Sequence, residues 1–262
     1  MEPKVVVTDL DGTAVASPSQ KIVSSRLLLA TDRLKSTGVK VCAATGRSVS
    51  FSKPVIESMK LEDPCIVAGG TKIIDPKTYE ELWSCSLSVD AAKEVLSIAK
   101  KLSYGFLWND STEDDYLNGG WNLNERELPN PEEVYFFEIC FVPHDEVPYI
   151  LEKFAHIESL ALTVVVAQRP GTNDIHITNK SATKEHAIAQ LSRMLNIPTS
   201  DMIGIGDGHN DLHLFAAVGW KVAMGNAVDE LKEIADELIK DVEDDGLAEY
   251  FERLTRRLSN EI

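Results

Sequence analysis

The chain predicts an α/β fold, a parallel sheet covered by helices and interrupted by an inserted α+β module. Three observations carry this. Short apolar runs such as Val5-Val6-Val7 and Val39 to Ala43 read as strands buried on both faces. They alternate with segments of helical period at the start of the chain and again after Lys184, the order of a sheet with helical crossovers. Between these stretches the order becomes α-β-β-α-β-β, which fits an antiparallel sheet with its own helices. The predicted division is a core of residues 1–81 and 181–262 and an insertion of residues 82–180.

The elements follow in order. Val5 to Val7 forms a strand that ends at Asp9. Residues 20–37 place Ile22, Val23, Leu27, Ala30 and Leu34 on one helical face and stop at Gly38. Val39 to Ala43 is the second strand, and residues 48–59 predict a helix with Pro54 in its middle. Pro64 to Ala68 is the third strand of the parallel set, followed by Gly69-Gly70. The insertion reads as helix 90–102, strand 104–109, strand 134–142, helix 145–155 and strands 161–167 and 174–178. Residues 110–132 are rich in Asn, Asp, Glu and Gly and form an irregular excursion. The stretch Trp108 to Trp121 mixes aromatics with Asn109, Asp110 and Asn118, and Asn122 follows it; this composition suits either a polyhydroxylated ligand or the module's own small core. The parallel pattern then returns. Helix 184–196 has Ala187, Ile188, Leu191, Met194 and Leu195 inward. Strand 202–206, helix 210–217, strand 221–223, helix 228–236, a short strand at Leu238-Ile239 and helix 246–258 complete the chain.

Composition narrows the function. The chain has 262 residues, enough for one large domain or a domain carrying a second module. Lys plus Arg is 26 and Asp plus Glu 42, a formal net charge of −16 that argues against a nucleic-acid backbone or an anionic membrane as partner. Cys42, Cys65, Cys85 and Cys140 show neither a C-x-x-C pair nor zinc-ligand spacing, so they read as reduced core cysteines. The N-terminus enters a strand at once, without a signal peptide, and no apolar stretch approaches a membrane span. A cytoplasmic protein, monomer or small homo-oligomer, is expected.

Four segments carry chemistry. Asp9 and Asp11, at i and i+2 past the first strand, can face the same way at the carboxyl edge where open α/β sheets bind ligands. Two such carboxylates repel unless a proton or a cation lies between them, and Mg²⁺ beside a phosphate is the usual solution. Gly12 and Thr13 permit and fix a tight turn; a turn that only caps a loop is the plainer reading. Thr45-Gly46-Arg47-Ser48 opens a helix, where a hydroxyl and free N–H groups make either an anion site or an ordinary N-cap. Lys184 stands in the first turn of a helix, where the dipole disfavours a cation unless an anion is near. Lys180, before that helix, ranks second. Gly206-Asp207-Gly208-His209-Asn210-Asp211 follows a strand and presents Asp207, Asn210 and Asp211 at the same edge, with His209 beside the site. It is not a dinucleotide fingerprint, which would follow the first strand.

These segments, in this order, resemble the haloacid dehalogenase superfamily of phosphotransferases. The matching pieces are Asp9-Leu10-Asp11-Gly12-Thr13, Ala44-Thr45-Gly46-Arg47, Lys184 and Gly206 to Asp211, and the insertion is similar to the α+β cap of the Cof-type subgroup. The resemblance implies a Rossmann-like core with a cap, and a Mg²⁺-dependent phosphatase with a phosphoaspartyl intermediate acting on a small phosphorylated metabolite, in the first place a sugar phosphate. On this reading Asp9 is the nucleophile and Asp11 the acid/base. Asp9, the Asp11 carbonyl and Asp207 hold the metal. Thr45, Gly46, Lys184 and Asn210 hold phosphate, Arg47 contacts substrate or cap, and Asp211 gives support. A sugar phosphomutase and a non-catalytic phosphate-sensing domain are the alternatives. Two departures stand out: Gly69-Gly70-Thr71 replaces the usual Asn-Gly pair, and Glu185 rather than Gly follows Lys184.

Overall fold

The computed structural model describes residues 2–109, 111, 113–124, 130 and 132–259. The chain begins with β1 (Val5–Thr8), α1 (Ser25–Ser36), β2 (Lys40–Ala43), α2 (Val49–Ser58), β3 (Cys65–Val67), β4 (Lys72–Ile74) and β5 (Glu81–Ser84). It continues through α3 (Val89–Ala99), β6 (Gly105–Trp108), α4 (Glu113–Leu117), β7 (Phe136–Pro143), α5 (Val147–Phe154), β8 (Leu160–Val166) and β9 (Thr172–Asn179). It closes with α6 (Lys184–Leu195), β10 (Met202–Gly206), α7 (Leu212–Ala217), β11 (Trp220–Ala223), α8 (Asp229–Glu233), β12 (Glu237–Leu238) and α9 (Gly246–Leu258). Two compact units result: one runs to Trp83 and resumes at Thr183, and the other is Ser84–Ala182. Among the described residues no helix is long and apolar enough to cross a membrane.

In the first unit a five-stranded parallel sheet runs β12-β11-β10-β1-β2. β1 lies between β10 and β2, so Val5, Val6, Val7 and Thr8 are all buried, as the unbroken β-branched run requires. α1 begins at Ser25 because the Ser24 hydroxyl accepts the Leu27 N–H at 3.0 Å. Ile22, expected on the helical face, therefore precedes the helix and is 69% exposed. α2 runs through Pro54, which leaves one backbone hydrogen bond of the helix unmade. In α6, Ala187, Ile188 and Leu191 face the core as expected, whereas Met194 is 40% exposed.

The third predicted strand does not join the parallel sheet as a full member. β3 touches β2's extension by one parallel bridge, Ala44 to Ile66, and pairs antiparallel with β4 in a separate sheet β3-β4-β5. The reversal between β3 and β4 uses Ala68, Gly69 and Gly70, all at positive φ (49°, 71° and 106°). A side chain on Gly70 would collide with the Thr183 carbonyl, so this turn packs on the start of α6.

The second unit is a four-stranded antiparallel sheet, β6-β7-β9-β8. Strand alternation sends Phe137, Ile139, Ile175 and Ile177 to one face, where Ala92 and Val95 of α3 and Ile150 and Phe154 of α5 complete the core. Trp108 stacks with Phe137, and Trp121 meets Trp108 edge-on at 4.3 Å. Trp108 thus packs, half-buried, against the core of this unit, and Trp121, also half-buried, lies against Trp108 and donates its ring N–H to Asp115. Asp110 and residues 112, 125–129 and 131 of the excursion lie outside the described residues.

The other face of this sheet carries Glu138 opposite His176 in register. Glu138 is buried with weak partners, the Cys140 thiol at 3.9 Å and His176 Nε2 at 3.6 Å. Burial, followed by the charge of Asp174, pushes the Glu138 carboxyl up to about 8. Burial pushes His176 down to about 4. The folded protein therefore holds a proton on Glu138 that the unfolded chain releases near 4.5, and this group makes stability fall as pH rises toward about 8. His176 acts in the opposite sense, between about 4 and its ordinary 6.5. Glu138→Gln should flatten the fall in melting temperature between pH 6.5 and about 8. A slope identical to wild type in a pH series of thermal melts would contradict this.

Candidate active site

The carboxyl end of β1 continues directly into Asp9, whose N–H donates to the Ile205 carbonyl at 2.8 Å. A tight turn follows, in which the Leu10 carbonyl accepts the N–H groups of Ala14 and Val15, each at 2.9 Å. Gly12 has φ 74°, and a side chain there would collide with the Asp207 carboxylate. This close approach brings the end of β10 against the end of β1. The Thr13 hydroxyl donates to Asp207 Oδ1 at 2.8 Å and holds that carboxylate in place.

Lys184 lies at the centre of the cluster. The Thr183 hydroxyl caps α6 by accepting the His186 N–H, so Lys184 is the first helical residue, and its side chain is only 2% exposed. Its ammonium donates to Asp9 Oδ1 at 2.7 Å and to Asp211 Oδ1 at 2.6 Å. Asp211 Oδ2 accepts the N–H groups of Asp207 and Gly208, each at 3.0 Å. Both Asp211 oxygens are therefore engaged, one tying down Lys184 and the other closing the 206–211 loop. Lys180 lies in the other unit and is exposed.

Arg47 is committed to Asp11. Its Nε and Nη2 reach the two carboxylate oxygens at 2.9 and 2.6 Å, a two-pronged pairing that orients the acid. Nη1 also donates to the Phe51 carbonyl at 3.2 Å, so the guanidinium is anchored within its own neighbourhood. Thr45 is fully buried, with its hydroxyl accepting the Arg47 N–H at 3.1 Å. Gly46 faces the Asn210 amide, 3.9 Å from where a Cβ would stand. The β3–β4 turn is bonded to this segment: the Ala68 N–H donates to the Arg47 carbonyl and the Gly69 N–H to the Thr45 carbonyl. Thr71, which follows that turn, is buried with no hydrogen-bond partner for its hydroxyl among the described residues. His209 is exposed beside Glu230.

One residue at the cluster escapes the sequence pattern. Asn226 Nδ2 donates to the Gly12 carbonyl at 2.8 Å, and Asn226 Oδ1 accepts the Val242 N–H. Its available signal is position: it sits in the loop after β11, at the same sheet edge as the other groups.

A family model for haloacid dehalogenase-like hydrolases matches residues 6–251. The chain belongs to the haloacid dehalogenase-like hydrolases. A 5-amino-6-(5-phospho-D-ribitylamino)uracil phosphatase of Bacillus subtilis, YitU, is 24% identical over 95% of this chain and 96% of its own. Phosphoglycolate phosphatase 1 of Saccharolobus solfataricus is 24% identical over 97% and 96%. Among solved structures, a haloacid dehalogenase-like hydrolase from Bacteroides thetaiotaomicron has a TM-score of 0.79 at 22% identity, covering 96% of this chain and 99% of that one. The HAD subclass IIB sugar phosphatase BT4131 has a TM-score of 0.71 at 20% identity, with 95% and 98% covered. At these identities the structural likeness establishes the shared fold.

For this haloacid dehalogenase-like hydrolase, the electrostatics of the cluster define what it can hold. Asp9, Asp207 and Asp211 each bring a carboxylate oxygen within 4.8 Å of the others. Burial raises the Asp9 carboxyl well above its ordinary value; Lys184 opposes this, and Asp211, Asp207 and Asp11 add to it. Burial likewise pushes Asp207 up to about 7, against the Thr13 hydrogen bond and with the help of Asp211. Burial works against the Lys184 ammonium, but Asp211 and Asp9 outweigh it and the net push is upward. Two carboxylates that resist ionisation for want of positive charge fit a hard divalent cation with oxygen ligands. Asp9 and Asp207 have capacity left for one, since Asp211 is engaged and the Asp11 carboxylate is turned to Arg47, leaving the Asp11 carbonyl available. Lys184→Met should leave Asp9 and Asp211 buried without their counter-charge, at a cost of about 3–5 kcal/mol. The melting midpoint should fall by roughly 6–20 °C, and Lys184→Met with Asp211→Asn should recover part of that loss. A single-variant midpoint within about 2 °C of wild type would show that this pair does not hold the cluster.

Proposed function

We propose that this phosphatase hydrolyses small phosphate monoesters, sugar phosphates first among them, through a phosphoryl group carried on Asp9. The observation that supports this most directly is the sharing of one buried ammonium by Asp9 and Asp211. It aims a carboxylate oxygen at the sheet's carboxyl edge while positive charge waits beside it for an incoming phosphate.

In the proposed reaction an Asp9 oxygen attacks phosphorus as the bond to the substrate's ester oxygen breaks. Asp11, which must be protonated and released from one of its two Arg47 contacts when substrate arrives, gives that proton to the ester oxygen, and the alcohol leaves. Asp11 then takes a proton from water as the water oxygen attacks the phosphoryl group, releasing inorganic phosphate and restoring Asp9. Lys184, Thr45, the Gly46 N–H and Asn210 hold the phosphate oxygens. Arg47, anchored by carbonyls, positions Asp11. Asp9, Asp207 and the Asp11 carbonyl would hold Mg²⁺, which would supply charge neutralisation of the phosphate.

Groups that engage phosphate and metal meet every ester alike, so discrimination needs a surface that meets the organic part. We assign that selection to the unit Ser84–Ala182. Relatives are named for a ribityl phosphate, phosphoglycolate and sugar phosphates, so a panel holding these classes is the first screen.

Asp9→Asn should lower kcat at least about a hundredfold, ~2.7 kcal/mol of barrier, while the variant still melts cooperatively. A folded variant above that residual rate would remove Asp9 as nucleophile. Wild-type activity should disappear in EDTA and return with Mg²⁺, and Asp207→Ala should raise the Mg²⁺ concentration needed for half-maximal rate. Full turnover in chelator would contradict the metal assignment, and an unchanged requirement in the variant would remove Asp207 from it.

A further inference from the structure

β8 is the edge strand of the second unit's sheet, bonded to β9 alone among the described residues. Its seven residues, Leu-Ala-Leu-Thr-Val-Val-Val, carry no charge and no proline. Natural edges are ordinarily protected by lysine, proline, a bulge or a cover, and this one shows none of these among the described residues. The Ala167 N–H bonds to Thr172 and the Lys180 N–H to the Ser159 carbonyl, so the odd-numbered residues of β8 turn their backbone groups to β9. The N–H and C=O groups of Leu162, Val164 and Val166 therefore point out from the sheet's edge. The side chains repeat the pattern. Val164 pairs in register with Ile175 and Leu162 with Ile177, on the face that α3 and α5 cover. Yet Val164 is 41% and Val166 81% exposed, an apolar stripe that runs out from under the helices.

We infer that β8 pairs antiparallel with β8 of a second copy of this chain, joining two four-stranded sheets about a two-fold axis at Thr163. The sequence is complementary to itself in that register. Leu162 then stands opposite Val164 of the other copy, both with outward backbone groups able to form hydrogen-bonded pairs on either side of the axis, and Leu160, whose N–H is already given to the Ile157 carbonyl, stands opposite Val166. The two Thr163 side chains meet as a threonine pair, a favourable cross-strand contact. Leu160 and Leu162, which pack against the unit's core, lie beside the exposed valines of the other copy and continue its apolar layer. Charge agrees at both ends. Exposed Glu158 precedes the strand, and Arg169, held over the Phe141 ring at 4.2 Å, follows it. With the axis at Thr163 each Glu158 falls opposite Gln168 of the other copy, one residue from that copy's Arg169, whereas a parallel pairing would set like charges together.

The test combines sedimentation of the full chain with hydrogen exchange. Wild type should sediment with the mass of a dimer, and the amides of Leu162, Val164 and Val166 should be protected although no group among the described residues of the same chain bonds them. Val164→Lys with Val166→Lys should sediment as a monomer and lose that protection while keeping p-nitrophenyl phosphate hydrolysis. Glu158→Arg, a change at an exposed position before the strand, should weaken the dimer by placing a cation against Arg169, and guards against a double variant that fails to fold. A wild-type monomer at every concentration at which it stays in solution would overturn the inference. So would a dimer that survives both variants, or one in which those three amides exchange freely.

Discussion

Like charges gathered in a dry place must be neutralised or lose their charge, and the first unit is organised around that constraint. Buried Asp9 and Asp211 and half-buried Asp207 converge at the ends of β1 and β10, where little water is left to screen them. Lys184 answers two of them directly, within 2.7 Å of each. Asp207 is left with the Thr13 hydroxyl, the Asn226 amide at 3.4 Å and an upward-shifted carboxyl. The same imbalance suits the cluster to a cation and marks it as a candidate functional site.

The backbone yields to this arrangement at specific places. Gly12, Gly70 and Gly206 stand where a side chain would strike Asp207, the Thr183 carbonyl or Asp211. Each absence of a Cβ lets two chain segments approach closely enough for the charges to meet. β1 lies inside the sheet, paired in register on both sides, so the turn at Asp9 is fixed by strands and not by the loop itself. The capped start of α6 then sets the height of Lys184. Rigidity of this kind suits the nucleophilic role proposed for Asp9, because aim is lost if either strand end or helix start can drift.

Much of this was legible in the residues, for reasons that differ by element. β1 and β10 are short, β-branched or glycine-punctuated runs with few alternatives, α6 carries both period and the Thr183 cap, and α9 carries period. The convergence of Asp9, Lys184, Asp207 and Asp211 follows from their lying at strand ends and a helix start on one edge. The β3–β4 reversal was not legible as a hairpin, because β4 is three residues long and Gly69-Gly70 reads equally as the end of a strand. Arg47's pairing with Asp11 joins residues 36 apart, which no local pattern records. Asn226 depends on a loop's position relative to the sheet, and the destination of Trp108 and Trp121 depends on packing, which composition leaves open.

The most direct measurement follows the phosphoryl group itself. Wild-type protein is mixed with a phosphate ester that it turns over, quenched in acid within the first turnover, digested and read by mass spectrometry. A phosphoryl group should appear on the peptide carrying Asp9, at that carboxylate, and decay as inorganic phosphate accumulates. Phosphate release within one turnover without any protein-bound phosphoryl group, or with that group on another residue, would contradict nucleophilic attack by Asp9.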